Sequence, residues 1–239
     1  FGAINLEDIA APKCFEIEER LKAELDIPVF HDDQHGTAVV VLAGLINAAK
    51  LTGRNLADCK FVVIGAGAAG TAIIKLLNLY GAKNIVAVDS RGIVGKSRTY
   101  VDASQSGSIE DAITNADVFI GVSRAGLLTP KLVQKMAKDP IVFALANPVP
   151  EIMPDVAKQS GVAIIGTGRS DFPNQVNNSL AFPGIFRGAL DYGVKKITDQ
   201  HKLAAAEALA NLVENPTIDK VVPTAFDAGV VEAIANVIR

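Results

Sequence analysis

Two pairs of neighbouring acids, Glu7-Asp8 and Asp32-Asp33, stand out among the residues that could do chemistry. Carboxylates set side by side repel one another unless a cation or a proton joins them. Their hard oxygens suit Mg²⁺ or Mn²⁺. Acidic residues at helix starts are also ordinary caps, so spacing alone leaves both readings open. His31 and His35 bracket the second pair at an i, i+4 spacing. With no cysteine nearby and no His-Glu-x-x-His arrangement, they read as polar residues around a helix start rather than zinc ligands. Three amides form a second group. Asn147 closes an apolar run, and Asn177 and Asn178 end the stretch Gly-Thr-Gly-Arg-Ser-Asp-Phe-Pro-Asn-Gln-Val-Asn-Asn. Amides can bond a carboxylate or hydroxyl without adding charge, and they also favour turns; both readings stand. Ser123 ends another apolar run, but no Gly-x-Ser-x-Gly elbow surrounds it, so acyl-enzyme chemistry has no support.

These side chains need a frame, and residues 61–91 describe one. Phe-Val-Val-Ile leads into Gly65-Ala66-Gly67-Ala68-Ala69-Gly70, then an apolar helical stretch, then Asn-Ile-Val-Ala-Val-Asp. A strand, a glycine turn, a helix and a second strand ending in an acid are what a dinucleotide site requires. Gly65 permits the tight turn, Gly67 lets backbone N–H groups approach a pyrophosphate, and Gly70 allows close helix–strand packing. The helix start directs its unpaired N–H groups at phosphate. Asp89, 19 residues past Gly70, is placed to accept from ribose hydroxyls. It would repel a 2′-phosphate and so favours NAD, although Arg91, Lys96 and Arg98 follow closely and could neutralise that phosphate in NADP.

Strands expected at 61–65, 84–88, 117–121, 141–145 and 162–166 alternate with helices at 69–80, 109–114, 130–138 and 154–159. That order predicts an α/β fold with a doubly wound, parallel, Rossmann-like sheet. Before it come a short strand at 3–6, an amphipathic helix from Cys14 to Leu25, a strand at 27–30 and a long apolar helix over 37–51. Helices near 183–192, 198–213 and 226–238 follow it. Residues 1–36 are expected to be the tail of a smaller amino-terminal domain and its connection, and 37–239 the nucleotide-binding domain. Phe1 is no start residue, so the chain is expected to be the carboxy-terminal part of a longer protein.

Of the 239 residues, 49% are hydrophobic but only 5% aromatic, which calls for an aliphatic core like that of a buried parallel sheet. The net charge of −3, with basic residues scattered, argues against nucleic acid as a partner. The apolar run from Thr37 to Ala49, broken by Gly44 and Asn47, is expected to be too short for a membrane span. Cys14 and Cys59 form no disulfide framework or metal spacing and suit a reduced, cytoplasmic protein.

Several stretches together resemble malic enzyme of the shorter bacterial type. They are Ile-Asn-Leu-Glu-Asp-Ile (4–9), Pro-Val-Phe-His-Asp-Asp-Gln-His-Gly-Thr-Ala (28–38), the glycine turn (65–70), Ala-Leu-Ala-Asn-Pro (144–148) and Gly-Arg-Ser-Asp-Phe-Pro-Asn-Gln-Val-Asn-Asn (168–178). The resemblance implies oxidative decarboxylation of malate to pyruvate with reduction of NAD or NADP. It further implies Glu7, Asp8 and Asp33 as ligands of Mg²⁺ or Mn²⁺, and Asp32 as the acid that orients a catalytic lysine. Asn147 and one or both of Asn177 and Asn178 would contact malate and the nicotinamide side. Thr37, Gly65, Gly67, Ala68, Ala69, Gly70, Asp89, Ser123 and Asn147 would line the cofactor site. A homo-oligomer is implied as well. The family's general-base lysine and general-acid tyrosine lie upstream of this stretch; Tyr80, Tyr100 and Tyr192 do not match the tyrosine's motif. Two rivals are a malolactic-type decarboxylase using the same site, and a non-catalytic nucleotide-binding module.

Overall fold

The computed structural model describes residues 1–90, 92–94 and 107–239. Its centre is a six-stranded sheet of β3 (Lys60–Ile64), β4 (Asn84–Asp89), β5 (Gly92–Ile93), β6 (Val118–Gly121), β7 (Ile141–Ala144) and β8 (Ile164–Thr167). The spatial order is β5-β4-β3-β6-β7-β8. Five strands run parallel as expected; β5, which the sequence reading missed, pairs antiparallel with the edge of β4. The chain leaves β3 toward β4 on one side and later returns to β6 on the other side. That reversal opens a crevice at the carboxyl ends of β3 and β6, where open α/β sheets bind ligands.

Strand composition follows from burial on both faces. Register sets Phe61, Val118, Ile141 and Ile164 in one row across the sheet. These join the core on one face of the sheet, while Val62, Ile64, Phe119 and Val142 fill the core on the other. With a side-chain period of two, near-continuous apolar runs feed both layers. Gly44 and Gly166 make room for Phe143: a Cβ on either would lie 2.9 Å from its ring.

A separate two-stranded parallel sheet joins β1 (Ile4–Leu6) to β2 (Val29–His31), with α1 (Lys13–Glu24) between them. From β2 the chain passes directly into α2, Asp32–Thr52. This helix begins five residues before the expected position, because Asp32 and Asp33 form its first turn. The expected boundary between residues 36 and 37 therefore falls within one continuous helix. At 21 residues α2 is also long and apolar enough to cross a membrane, contrary to the expectation for this run, yet 72% of its apolar window is buried inside the protein. Such an all-round apolar helix serves here as the spine of the core. It stops at Gly53, whose φ of 64° closes the helix in the left-handed conformation.

The remaining helices are α3 (Ala68–Tyr80), α4 (Ile109–Ile113), α5 (Pro130–Val133), α6 (Pro154–Gln159), α7 (Phe182–Asp191), α8 (Asp199–Asn211) and α9 (Val230–Ala235). Both α5 and α9 are shorter than expected. Cys14 and Cys59 are free and buried.

One polar residue ties α2 to the carboxy-terminal helices. Fully buried Asn47 donates to the carbonyls of Ala210 (2.9 Å) and Val221 (3.0 Å). Asn47→Leu would fill similar space but orphan both acceptors. We expect it to cost about 2–3 kcal/mol, read as a lowered urea midpoint with an unchanged slope.

Candidate active site at the sheet switch point

The glycine turn is built as its spacing predicts. Gly65 has φ of 106°, and a Cβ there would stand 2.5 Å from the Val122 carbonyl oxygen. A Cβ on Gly70 would stand 1.8 Å from the Gly65 oxygen, so α3 rests directly on the turn. Gly67, the residue before α3, faces open space: a Cβ there meets nothing within 4 Å. The first turn of α3, including Ala68 and Ala69, thus presents bare N–H groups to the crevice.

Two cavities share Ser123 as a common wall. One is lined by Asp89, Ser90 and Arg124 between the apolar walls of Ile64, Val88 and Leu127. It suits the adenosine half of a dinucleotide. The other gathers Thr37, Ala69, Ser123 and Asn147 with Asp33, Asn177 and Asn178. Thus most of the proposed cofactor and substrate residues meet along one crevice. Arg91, Lys96 and Arg98, invoked for NADP, lie outside the described residues, as does Tyr100.

The acidic pairs come together through backbone geometry. Pairing of β1 with β2 brings Asp8 to Asp33, whose Oδ2 accepts the Asp8 N–H at 2.8 Å. Asp8 has φ of 57°, in the left-handed region that aspartate tolerates. Asp32 is fully buried. Its Oδ2 accepts from Asn178 Nδ2 at 2.6 Å, and its Oδ1 has no partner. Gly36, one turn on, makes room for that carboxyl: a Cβ would lie 2.0 Å from Asp32 Oδ1. Burial, with the nearby charges of Glu7 and Asp33, pushes Asp32 up to about 7 against the opposing bond from Asn178.

Among the described residues, no three His, Cys, Asp or Glu side chains converge in the geometry of a formed metal cage. The residues nonetheless fit a hard divalent cation. The donors are carboxylate oxygens whose mutual repulsion a cation would relieve, and buried Asp32 Oδ1 lacks a partner beside them. Asn177 and Asn178, grouped together from sequence, have different local tasks. Asn177 Oδ1 caps the short 3-10 turn by accepting from Ser179 N–H at 2.9 Å, whereas Asn178 holds Asp32.

Sequence reading missed four contributors. Glu151, fully buried, accepts the N–H groups of Ser123 (2.9 Å) and Ala146 (3.1 Å), joining the ends of β6 and β7 beneath the crevice. Burial pushes its carboxyl up, and those N–H groups oppose the shift. Gly121 admits it, since a Cβ there would lie 2.3 Å from Glu151 Cδ. Glu18, on α1, accepts from Lys22, the His31 N–H, Gln34 and His35. Burial pushes Glu18 up, but His35 and Lys22 together outweigh it and hold the carboxyl at about 2. Gln34 and Arg124 complete the set. The only sequence signal for Glu151 was an acid inside the Pro-rich turn after Asn147; Glu18 looked like one charge among many on an amphipathic helix.

A doubly wound sheet, a glycine turn with open N–H groups and a crevice with carboxylates at one end define a Rossmann-like dinucleotide-binding domain. Residues 34–233 match the family model described as malic enzyme, NAD binding domain. The chain belongs to the malic enzyme family. It is 56% identical over 254 residues to the bifunctional malic/malolactic enzyme of Bacillus subtilis, covering all of this chain and 62% of that one. It is 52% identical to the NAD-dependent malic enzyme of Geobacillus stearothermophilus, covering all of this chain and 52% of that one. The crystal structure of NAD-dependent malic enzyme from Thermotoga maritima superposes with a TM-score of 0.95 at 48% identity, over 100% of this chain and 66% of that one. The chain thus spans between half and two thirds of the length of these relatives.

Proposed function

We propose that the protein containing this chain catalyses divalent-metal-dependent oxidative decarboxylation of malate to pyruvate and CO₂ with reduction of NAD or NADP. The observation that carries this reading is the crevice in which Ala69 of the first turn of α3 and half-buried Asp33 meet Asn147, Asn177 and Asn178, with Asn178 reaching buried Asp32 behind it. Gly67 and the first turn of α3 would bind the pyrophosphate, and Asp89 the ribose. A nicotinamide held there would supply the hydride acceptor for the substrate's C2. Asn147 and Asn177 offer amides that orient a dicarboxylate without adding charge. Asp32 Oδ1, desolvated and unbonded, would hold the cationic amine of a lysine supplied by another part of the protein. Glu7, Asp8 and Asp33 would hold Mg²⁺ or Mn²⁺, a Lewis acid that would supply charge stabilisation at the C2 oxygen during loss of CO₂.

Two experiments on the full-length protein test this. With malate and Mn²⁺, reduced cofactor is expected together with pyruvate. A second reading has specific support from the relative in Bacillus subtilis, which is named for both activities. Lactate formed without reduced cofactor would establish that malolactic reading, and a folded protein that does neither would be a binding module. Asp33→Ala is expected to lower turnover at least about 100-fold, the usual scale for removing a polarising group, with the NADH affinity kept. Turnover within threefold of wild type would remove Asp33 from the cation site.

For cofactor choice, NAD is preferred because Asp89 would repel a 2′-phosphate. Asp89→Ala should lower the NAD:NADP ratio of kcat/KM about tenfold, a loss of about 1.4 kcal/mol; an unchanged ratio would remove Asp89 from the argument. The reading also carries a homo-oligomer located in the cytoplasm, open to sedimentation of the full-length protein and to cell fractionation.

A further inference from the structure

His31 has no role in the reading above, yet it is fully buried at the end of β2, beside the acidic pair. Its hydrogen bonds determine which ring nitrogen bears the proton. Gln34 Nε2 lies 3.2 Å from Glu18 Oε2 and 2.8 Å from His31 Nδ1. A carboxylate can only accept, so the Gln34 atom facing Glu18 is the amide nitrogen. That same nitrogen therefore donates its second hydrogen to His31 Nδ1. An accepting Nδ1 is bare, and a neutral imidazole then carries its proton on Nε2. Glu18 is itself held in place. Its Oε1 takes Lys22 Nζ at 2.6 Å, His35 Nε2 at 2.9 Å and the His31 backbone N–H at 3.2 Å.

The resulting Nε2–H is buried, completes no hydrogen bond, and lies 3.4 Å from Asp33 Oδ2. Asp33 Oδ2 already accepts the Asp8 N–H at 2.8 Å. Only the Asp8 N–H bonds this oxygen; the His31 Nε2–H faces it at 3.4 Å without completing a bond, and both lie on the Oδ2 side, which leaves Oδ1 as the atom turned to a cation. We propose that His31 is a positioning residue for Asp33, locked as its Nε2–H tautomer by Gln34 and Glu18, so that Asp33 presents Oδ1 to a divalent cation. This rests on the cation reading of Asp33. Carboxylate ligands are commonly oriented by such outer partners, whose loss costs about 10–100-fold in metal affinity.

The test uses the full-length protein with Mn²⁺ as the probe, free Mn²⁺ being read by electron paramagnetic resonance and NADH fluorescence reporting an intact nucleotide domain. His31→Phe keeps the ring volume without the donor and should raise the Mn²⁺ Kd about 10–100-fold at unchanged NADH affinity. His31→Gln, whose amide nitrogen can stand near the Nε2 position, should restore most of that loss. In the metal-free protein, long-range ¹H–¹⁵N correlations should show His31 with Nε2 protonated, and Gln34→Leu should convert it to a mixture of tautomers. Wild-type Mn²⁺ affinity in His31→Phe would overturn the proposal while leaving the cation reading intact, and a His31 protonated on Nδ1 would overturn the lock. If Asp33→Ala itself binds Mn²⁺ as wild type does, the cation reading falls and this role falls with it, even where the tautomer is as stated.

Discussion

Gly70→Ala is expected to weaken NADH binding roughly 100-fold and to destabilise the domain, whereas Gly67→Ala should weaken binding and leave stability unchanged. The difference comes from what each new methyl group meets. At Gly70 it would stand 1.8 Å from the Gly65 carbonyl oxygen and 3.0 Å from its carbon. Those are backbone atoms, which cannot rotate aside, so α3 must lift from the turn. Overpacking of this kind costs about 1–3 kcal/mol, and lost alignment of the helix N–H groups adds to the effect on the pyrophosphate. About 2.8 kcal/mol corresponds to the expected factor of 100. At Gly67 the methyl group meets no protein atom. It enters the space that a bound phosphate needs, so the cost falls on binding alone. Fluorescence titration of NADH and urea unfolding of both variants separate the two effects. Equal stability losses in the two variants would contradict this division of roles.

Glu18→Gln is expected to lower stability by about 3 kcal/mol at pH 7, the scale for breaking a buried ion pair, and to flatten the acid limb of the stability profile. Glu18 is ionised and buried, and it receives Lys22, Gln34, His35 and the His31 N–H. The amide substitute turns its own donors toward these donors. The sign of the pH dependence follows from two displaced titrations. The folded state holds the Glu18 carboxyl at about 2, below its ordinary 4.5, so its contribution is present above 4.5 and is lost as pH falls through about 2. Burial pushes His35 down to about 4 from 6.5, against the bond it makes to Glu18. The unfolded chain therefore takes up that proton first, and stability also falls as pH drops from 6.5 toward 4. Both effects destabilise in acid. Urea unfolding across pH 7 to 3 should show a steep decline in wild type. In Glu18→Gln the decline should be shallow below pH 4.5; parallel profiles would exclude Glu18 as its source.

Much of this architecture was legible because the signals are local. A parallel strand buried on both faces must be apolar at nearly every position, and β3, β6 and β7 show this directly as Phe-Val-Val-Ile, Val-Phe-Ile and Ile-Val-Phe-Ala. The roles of Gly65 and Gly70 were legible because a positive φ and a 1.8 Å approach leave no alternative residue. The extent of α2 was not legible at its start, since Asp32-Asp33-Gln34-His35-Gly36 has the composition of a turn. Tertiary contacts to Asn178 and Glu18 hold those polar residues in helical form.

By itself the sequence determined the dinucleotide fold, the glycine turn, the acid at the end of β4 and the presence of two carboxylate pairs. Each depends on period, backbone conformation or residue type within a short stretch. Only the tertiary structure decided how those groups divide their work. Asn178 holds Asp32 while Asn177 caps a turn, Glu151 bonds the ends of β6 and β7, and the relay from Glu18 through Gln34 decides the His31 tautomer. Glu18 lies 13 residues from His31, and Asp32 lies 146 from Asn178. Hydrogen bonds over such separations are set by sheet register and helix packing, and a buried polar group takes whichever partner the fold brings within reach.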